Sequence, residues 1–83
     1  MEKPDIRILL ADHQELVRCG IQRLLDDIPE LTVIGEAASG EEAVQLARSM
    51  NPDVVLMDVQ IPGIGGLEAT RRITQANPST RIV

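Results

Sequence analysis

Aromatic residues are missing from this sequence: its 83 residues include no Trp, Tyr or Phe. Any hydrophobic core must therefore be built from Leu, Ile, Val, Ala and Met, which bury less area per side chain than aromatic rings do. A chain of this length is expected to form one small domain with a limited core.

Cysteine is scarce as well, since Cys19 is the only one. A single thiol excludes an internal disulfide, which agrees with a reducing compartment, and we expect Cys19 to be a small packing residue of a helix. No apolar run approaches the ~20 residues of a transmembrane helix, and residues 1–7 lack the apolar segment of a signal peptide. The sequence therefore predicts a cytoplasmic protein that does not contact a membrane.

Basic residues are outnumbered, with 8 Lys and Arg against 13 Asp and Glu and a formal net charge of −5. A nucleic-acid phosphate backbone would be repelled by such a surface. We therefore expect that this segment does not bind DNA or RNA by itself.

An uninterrupted apolar run at 54–57 ends on Asp58. Such a run is typical of a strand covered on both faces of a parallel sheet. A carboxylate at its end is expected to project into the polar crevice where open α/β sheets bind ligands. Pro62 and three glycines up to residue 66 predict a tight loop that passes close to that ligand. This stretch alone leaves open an Asp that merely ends a strand.

Strand and helix patterns alternate along the rest of the chain. Further strands are predicted at 6–11, 31–37 and 80–83, and helices at 15–28, from a Ser39–Glu42 capping box to 50, and from 67 to an Asn77–Pro78 end. The apolar stripes expected to be buried are Val17, Ile21, Leu24, Leu25 and Ile28, then Ala43, Leu46, Ala47 and Met50, then Leu67, Thr70, Ile73 and Thr74. The alternation predicts an α/β fold in which helices cover both faces of a parallel sheet.

A second acid, Asp12, follows the first predicted strand. Strands one and three are neighbours in a doubly wound sheet, so Asp12 and Asp58 should lie side by side. Two carboxylates about 4 Å apart repel by about 4 kcal/mol at an effective dielectric constant of about 20. A divalent cation would offset this repulsion, and Mg2+ suits a site with few carboxylates that also accommodates a phosphate. The backbone carbonyl of Gln60 could supply a further oxygen ligand.

Two segments, VLMDVQIPGIGGLEATRR at 55–72 and ILLADHQELVRCGI at 8–21, carry a family resemblance. They resemble the receiver domain of two-component response regulators, especially the branch with a C-terminal LuxR-type helix-turn-helix, near regulators of the GacA and UvrY kind. The resemblance implies a flavodoxin-like doubly wound parallel sheet of order 2-1-3-4-5. Residues 1–83 would be the N-terminal part of that domain, comprising three strand–helix units and the start of strand four.

The resemblance also implies roles for individual residues. Asp58 would accept the phosphoryl group from a sensor histidine kinase, while Asp12, Asp58 and the Gln60 carbonyl would hold Mg2+. The module would be a signalling domain and not an enzyme, and DNA would be bound only through a C-terminal domain absent here. We expect kinase choice to depend on an exposed face of the first helix that includes Gln14, Glu15, Arg18 and Gln22.

The sequence departs from the family pattern in two respects. His13 stands where a second acid, commonly a direct metal ligand, is expected, and imidazole is a poor ligand for Mg2+. We therefore predict weakened Mg2+ affinity and slower phosphorylation, with a solvent-facing His13 and a water ligand as the alternative. The usual Ser or Thr of strand four and Lys of strand five would lie beyond Val83. Bare sheet faces then favour a homodimer.

Three other interpretations compete with this one. A haloacid dehalogenase-type enzyme needs a general acid two residues after its nucleophile, where this chain has Gln60. A dinucleotide-binding loop needs a third glycine where the chain has Glu68. A pseudo-receiver that acts only as a phosphorylation-independent dimerisation or interaction module stays open because of His13.

Overall fold

The computed structural model describes residues 5–83, which alternate between four strands and three helices. In chain order these elements are β1 (Ile6–Ala11), α1 (Glu15–Asp26), β2 (Leu31–Ala37), α2 (Gly40–Met50), β3 (Val54–Met57), α3 (Gly65–Ala76) and β4 (Arg81–Ile82). All strand pairs are parallel, and the sheet order is β2-β1-β3-β4. The predicted flavodoxin-like α/β fold is confirmed as far as these strands extend.

Residues 1–4 lie outside the described residues. They belong to the N-terminal segment that the sequence predicts to lack a signal peptide. Between residues 5 and 83, every helix is too short or too polar to cross a bilayer.

Helix α1 ends at Asp26, two residues before the predicted end at residue 28. Pro29 explains the difference, because a proline disfavours helical backbone angles in the residue that precedes it. The N–H of Ile28 instead donates to the Leu25 carbonyl at 2.9 Å and closes the last turn. β2 has the predicted bounds, and its pairing with β1 shifts register between Ile8 and Leu9.

Helix α2 begins with the predicted capping interaction. The Ser39 hydroxyl accepts the Glu42 backbone N–H at 3.1 Å, while the Glu42 carboxylate accepts the Ala38 N–H at 2.7 Å, one residue before the serine. The helix ends at Met50, because the left-handed conformation of the next residue, Asn51 (φ 49°), stops the chain from continuing as a helix. Side-chain capping thus satisfies amide donors that the first helical turn leaves unpaired.

The hydrophobic core lies between the sheet and the pair α2 and α3. Its buried members are Leu9, Ala11, Ala37, Ala43, Val44, Ala47, Val55, Ile61, Ala69 and Ile73. Alternate strand residues face opposite sides of a sheet, so Ile8 and Leu10 are buried on the other face. Alanines make up half of the core cluster and let the helices approach the strands closely. Val44 and Ala69 are core residues that the predicted stripes omitted.

The predicted stripe of α3 is wrong at Leu67, which is 77% exposed, and at Thr74, which is also exposed. Gly66, Ala69 and Ile73 are the residues that α3 buries. Leu67 follows Gly66 by one position, which turns it about 100° around the helix and away from the sheet. Two of these three buried residues, Gly66 and Ala69, are small, so the large apolar side chain of Leu67 misdirected the prediction.

The predicted stripe of α1 is wrong in a different way, because no residue of α1 is buried. Leu24 is 72% exposed, while Ile21 and Leu25 are only half-buried. Within residues 5–83, α1 is the only helix on its face of the sheet. It therefore has no neighbouring helix against which its apolar side chains could be buried. Cys19 is also exposed, which corrects the expectation that it packs inside.

Candidate functional site

The two aspartates follow neighbouring strands at the same edge of the sheet. Ala11, the last residue of β1, is in register with Met57, the last residue of β3. The N–H of Asp58 donates to the Ala11 carbonyl at 2.8 Å, and that of Asp12 donates to the Ala37 carbonyl at 3.0 Å. Sheet pairing therefore brings Asp12 and Asp58 side by side.

Each aspartate also shapes the loop that follows it. Asp12 Oδ1 accepts the Gln14 N–H at 2.8 Å, and Asp58 Oδ1 accepts the Gln60 N–H at 3.0 Å. This contact with the backbone two residues further on is a turn typical of Asp and Asn. It fixes the orientation of both carboxylates, and in the second loop it keeps Gln60 next to Asp58.

His13 lies against both carboxylates. Its Nδ1 is 3.4 Å from Asp58 Oδ2 and 3.9 Å from Asp12 Oδ1, while 45% of the imidazole side chain remains exposed. One ligand atom from each of the three residues lies within 4.8 Å of the others, a grouping that could hold a metal ion. The imidazole is therefore directed toward the acids, with one side open to solvent.

The loop after β3 is held in place by α2. Glu41 Oε1 accepts the Ile64 N–H at 3.1 Å, and the Gly40 N–H donates to the Pro62 carbonyl at 2.9 Å. Gly63 adopts φ +84°, and a Cβ added there would lie 1.9 Å from Glu41 Oε1. The glycine run predicted a tight loop, but its contact with Glu41 joins residues far apart in sequence. Sequence reasoning missed this contact.

The loop after β1 is held by Arg18. Its guanidinium donates to the backbone carbonyl of Asp12 at 2.6 Å and to Glu36 Oε1 at 2.8 Å, and only 15% of its side chain is exposed. The prediction that Arg18 is exposed is therefore wrong, and Gln22 of the same predicted face is only partly exposed. The role of this face in kinase choice stays a prediction. The sequence signal that could have indicated the contact with the Asp12 carbonyl is the position of a basic residue, Arg18, six residues after Asp12.

An apolar cleft of about 270 Å³ opens beside the two aspartates. It is lined by Leu10, Ala11, Asp12, Ile21, Leu56, Met57, Asp58 and Val83. The carboxylates thus lie at the polar end of a cleft that continues under α1.

A compact ion cluster occupies the start of α3, beyond the second loop. Hydrogen bonds from Arg71 and then Arg72 lower the pKa of Glu68 from 4.5 to about 2, and the contact with Glu68 raises the pKa of Arg71. Both arginines are exposed.

Comparison with known families gives a match over nearly the whole chain. The family model of the response regulator receiver domain matches residues 8–83.

Curated relatives agree with this match. The chain is 55% identical over 78 residues to the response regulator GacA of Pseudomonas viridiflava, and 53% identical over 78 residues to the response regulator UvrY of Escherichia coli. Each alignment covers 94% of the chain and 36% of the relative. The chain thus spans about a third of the length of the curated relatives it matches.

A solved structure shows the same fold. A two-component response regulator of the LuxR family from an Aurantimonas species superposes with a TM-score of 0.88 at 45% identity. That superposition covers 94% of this chain and 56% of the Aurantimonas chain.

Proposed function

Because the chain belongs to the receiver-domain family of two-component response regulators, we propose that it is a phospho-accepting module with Asp58 as the acceptor. The observation that carries the proposal is the pairing of Asp12 and Asp58 at the ends of adjacent parallel strands. Residues 1–83 would be the N-terminal part of the receiver domain. The module acts as a signalling switch and not as an enzyme.

The proposed step is the transfer of a phosphoryl group from a phosphohistidine. An Asp58 oxygen attacks phosphorus, the P–O bond forms as the P–N bond breaks, and the electron pair returns to the imidazole of the donor. Oδ1 of Asp58 accepts the Gln60 N–H at 3.0 Å, whereas Oδ2 lies 3.4 Å from His13 Nδ1. The acyl phosphate is labile and serves as a reversible signal.

The donor set of the site fits a divalent cation, but it fits Mg2+ only in part. Carboxylate oxygens of Asp12 and Asp58, with the Gln60 carbonyl, are the hard ligands that Mg2+ prefers, whereas the His13 nitrogen is not. When bound, Mg2+ would neutralise charge on the phosphoryl oxygens. We propose Mg2+ as the cofactor, with an affinity and a phosphorylation rate lowered by His13. Titrating Mg2+ into the unsubstituted chain and into His13→Asp tests this, and equal affinities would contradict it.

Phosphorylation itself is tested by incubating the chain with acetyl phosphate and Mg2+ and measuring its intact mass. We expect one phosphoryl adduct that is lost in Asp58→Asn and retained in Asp26→Asn, a matched change at an exposed acid at the end of α1. Should neither the unsubstituted chain nor His13→Asp form an adduct, the phosphorylation-independent interaction module would replace this proposal.

The proposed donor is a sensor histidine kinase, and the proposed location is the cytoplasm. DNA binding and transcription regulation would reside in a LuxR-type domain outside these 83 residues, which the LuxR-family likeness and the 36% share of the relatives support. A homodimer is also proposed, because Leu16 and Leu24 of α1 are each more than 70% exposed on the face of the sheet that α1 alone covers in the described part of the chain. Light scattering tests the dimer, and a monomer at every concentration would contradict it.

A further inference from the structure

The imidazole nitrogen of His13 is a different kind of metal ligand from the carboxylate oxygens beside it, and ligand type influences which cation a site prefers. Mg2+ binds oxygen ligands in near-ideal octahedral geometry and dehydrates reluctantly. First-row transition dications accept imidazole readily, and their affinities for mixed nitrogen and oxygen sites rise along the series toward Cu2+, with Zn2+ also high. A site with two carboxylates and one imidazole therefore matches this second class.

The distances in the site agree with shared coordination. Zinc lies about 2.1 Å from nitrogen and oxygen ligands, so two ligands of one ion are at most about 4.2 Å apart. His13 Nδ1 meets that limit with both acids, at 3.4 Å from Asp58 Oδ2 and 3.9 Å from Asp12 Oδ1. The two carboxylate ligand atoms lie within 4.8 Å of one another, so shared coordination requires them to approach by at most about 0.6 Å.

The backbone around His13 is already positioned for this role. Asp12 closes a turn on the Gln14 N–H, and Arg18 holds the Asp12 carbonyl at 2.6 Å. The imidazole between them keeps 45% exposure, so an ion can reach it from solvent. Positioned ligand atoms lower the ordering cost of binding.

We infer that Asp12, His13 and Asp58 form a site selective for a first-row transition dication of the Zn2+ class over Mg2+, with His13 Nδ1 as a ligand. The inference rests on the proposed function, since it concerns the cation of the same site. It is nevertheless testable without phosphorylation, because binding can be measured on the resting chain.

The composition makes the test specific, because His13 is the only histidine in the chain. In tag-free protein labelled with 15N-histidine, every ring-nitrogen signal comes from His13. We expect one equivalent of Zn2+ to shift one ring nitrogen strongly, and an equal amount of Mg2+ to leave both unshifted. Cys19→Ser controls for binding through the exposed thiol and should retain the shift.

Calorimetric titration supplies the selectivity. The unsubstituted chain should bind Zn2+ at least about tenfold more tightly than Mg2+, and His13→Asn should lose about tenfold in Zn2+ affinity with little change for Mg2+. Asn is neutral like the unprotonated imidazole, so it removes the nitrogen ligand without adding charge. Because His13 is exposed, the variant should fold, which far-ultraviolet circular dichroism verifies.

Two outcomes would overturn the inference: Zn2+ leaves the ring nitrogens unshifted, or His13→Asn weakens Zn2+ and Mg2+ equally. Loss of the shift in Cys19→Ser would overturn it as well, by assigning the ion to the thiol. A chain that forms the Asp58 adduct with Mg2+ but shows no imidazole shift refutes this inference alone. A chain that shows the shift but forms no adduct with either ion refutes the proposed function alone.

Discussion

The first and third strand–loop–helix units each place one aspartate at the same edge of the sheet, but they hold it differently. After β3, the loop is packed against α2 through Glu41, and α3 buries Gly66, Ala69 and Ile73. After β1, the loop is only three residues long, and α1 buries no residue. Its main side-chain anchor is Arg18.

This difference concerns how closely the loop is packed, and not how the aspartate is positioned. In both units the strand pairing sets the backbone of the aspartate, and the carboxylate closes its own turn. The third unit is closely packed around that turn, whereas the first leaves residue 13 exposed and free of core contacts. The side chain at residue 13 can therefore be exchanged without disturbing the fold.

The largest expected effect is at Gly66, in the third unit. A Cβ there would meet the Asp58 carbonyl oxygen at 2.6 Å and the Val59 Cα at 2.7 Å, both backbone atoms that cannot turn aside. Gly66→Ala should lower the free energy of unfolding by about 2–3 kcal/mol. Urea unfolding followed by far-ultraviolet circular dichroism measures this loss.

Gly65→Ala is the matched control for that prediction. Gly65 has φ +85° but no atom within 4 Å of an added Cβ, so only backbone strain opposes the change. We expect a loss of about 1 kcal/mol. Equal losses at Gly65 and Gly66 would show that close approach to Asp58 does not limit this loop.

A smaller effect is expected at Arg18, in the first unit. Lysine keeps the charge but cannot reach the Asp12 carbonyl and Glu36 with one planar group. Arg18→Lys should cost about 1–2 kcal/mol, while Arg23→Lys, an exposed position of the same helix, should cost under about 0.5 kcal/mol. The idea that Arg18 anchors the loop would fail if both variants unfolded at the same urea concentration.

Gly20 should respond in the opposite direction to Gly66. It lies inside α1, with nothing within 4 Å of an added Cβ. Alanine is a better helix former than glycine, so Gly20→Ala should raise the free energy of unfolding by about 0.5–1 kcal/mol. A loss of stability would mean that α1 is more tightly packed than its exposure indicates.

The smallest expected effect concerns Glu68, whose side chain is about a third exposed, so that solvent screens its ion pairs. Its pKa falls from 4.5 to about 2 on folding, so its contribution to stability is complete above pH 4.5 and is lost as the pH drops toward 2. Glu68→Gln lacks this contribution. The difference in urea midpoint between Glu68→Gln and the unsubstituted chain should therefore be constant near neutral pH and shrink below pH 4.5. A difference that does not change with pH would exclude this ion cluster as its cause.

The sequence predicted every strand and helix, because alternating apolar runs and turn residues are local signals. β1 and β2 have the predicted bounds, and the Ser39 cap forms. The same signals failed at Leu67 and in α1, since periodicity identifies an apolar stripe but not whether a neighbour covers it. Arg18 and Glu41 could not be assigned, because their partners are set by the packing of separate elements.

By itself, the sequence determined the order of the elements, the aspartates that end two strands and the histidine beside one of them. These follow from the chemistry of single residues and from short-range patterns. Only the tertiary structure decided that His13 faces Asp58 and that α2 closes the second loop. Those contacts join residues more than twenty positions apart, and a distance across the fold is set by the packing of the strands and helices between them.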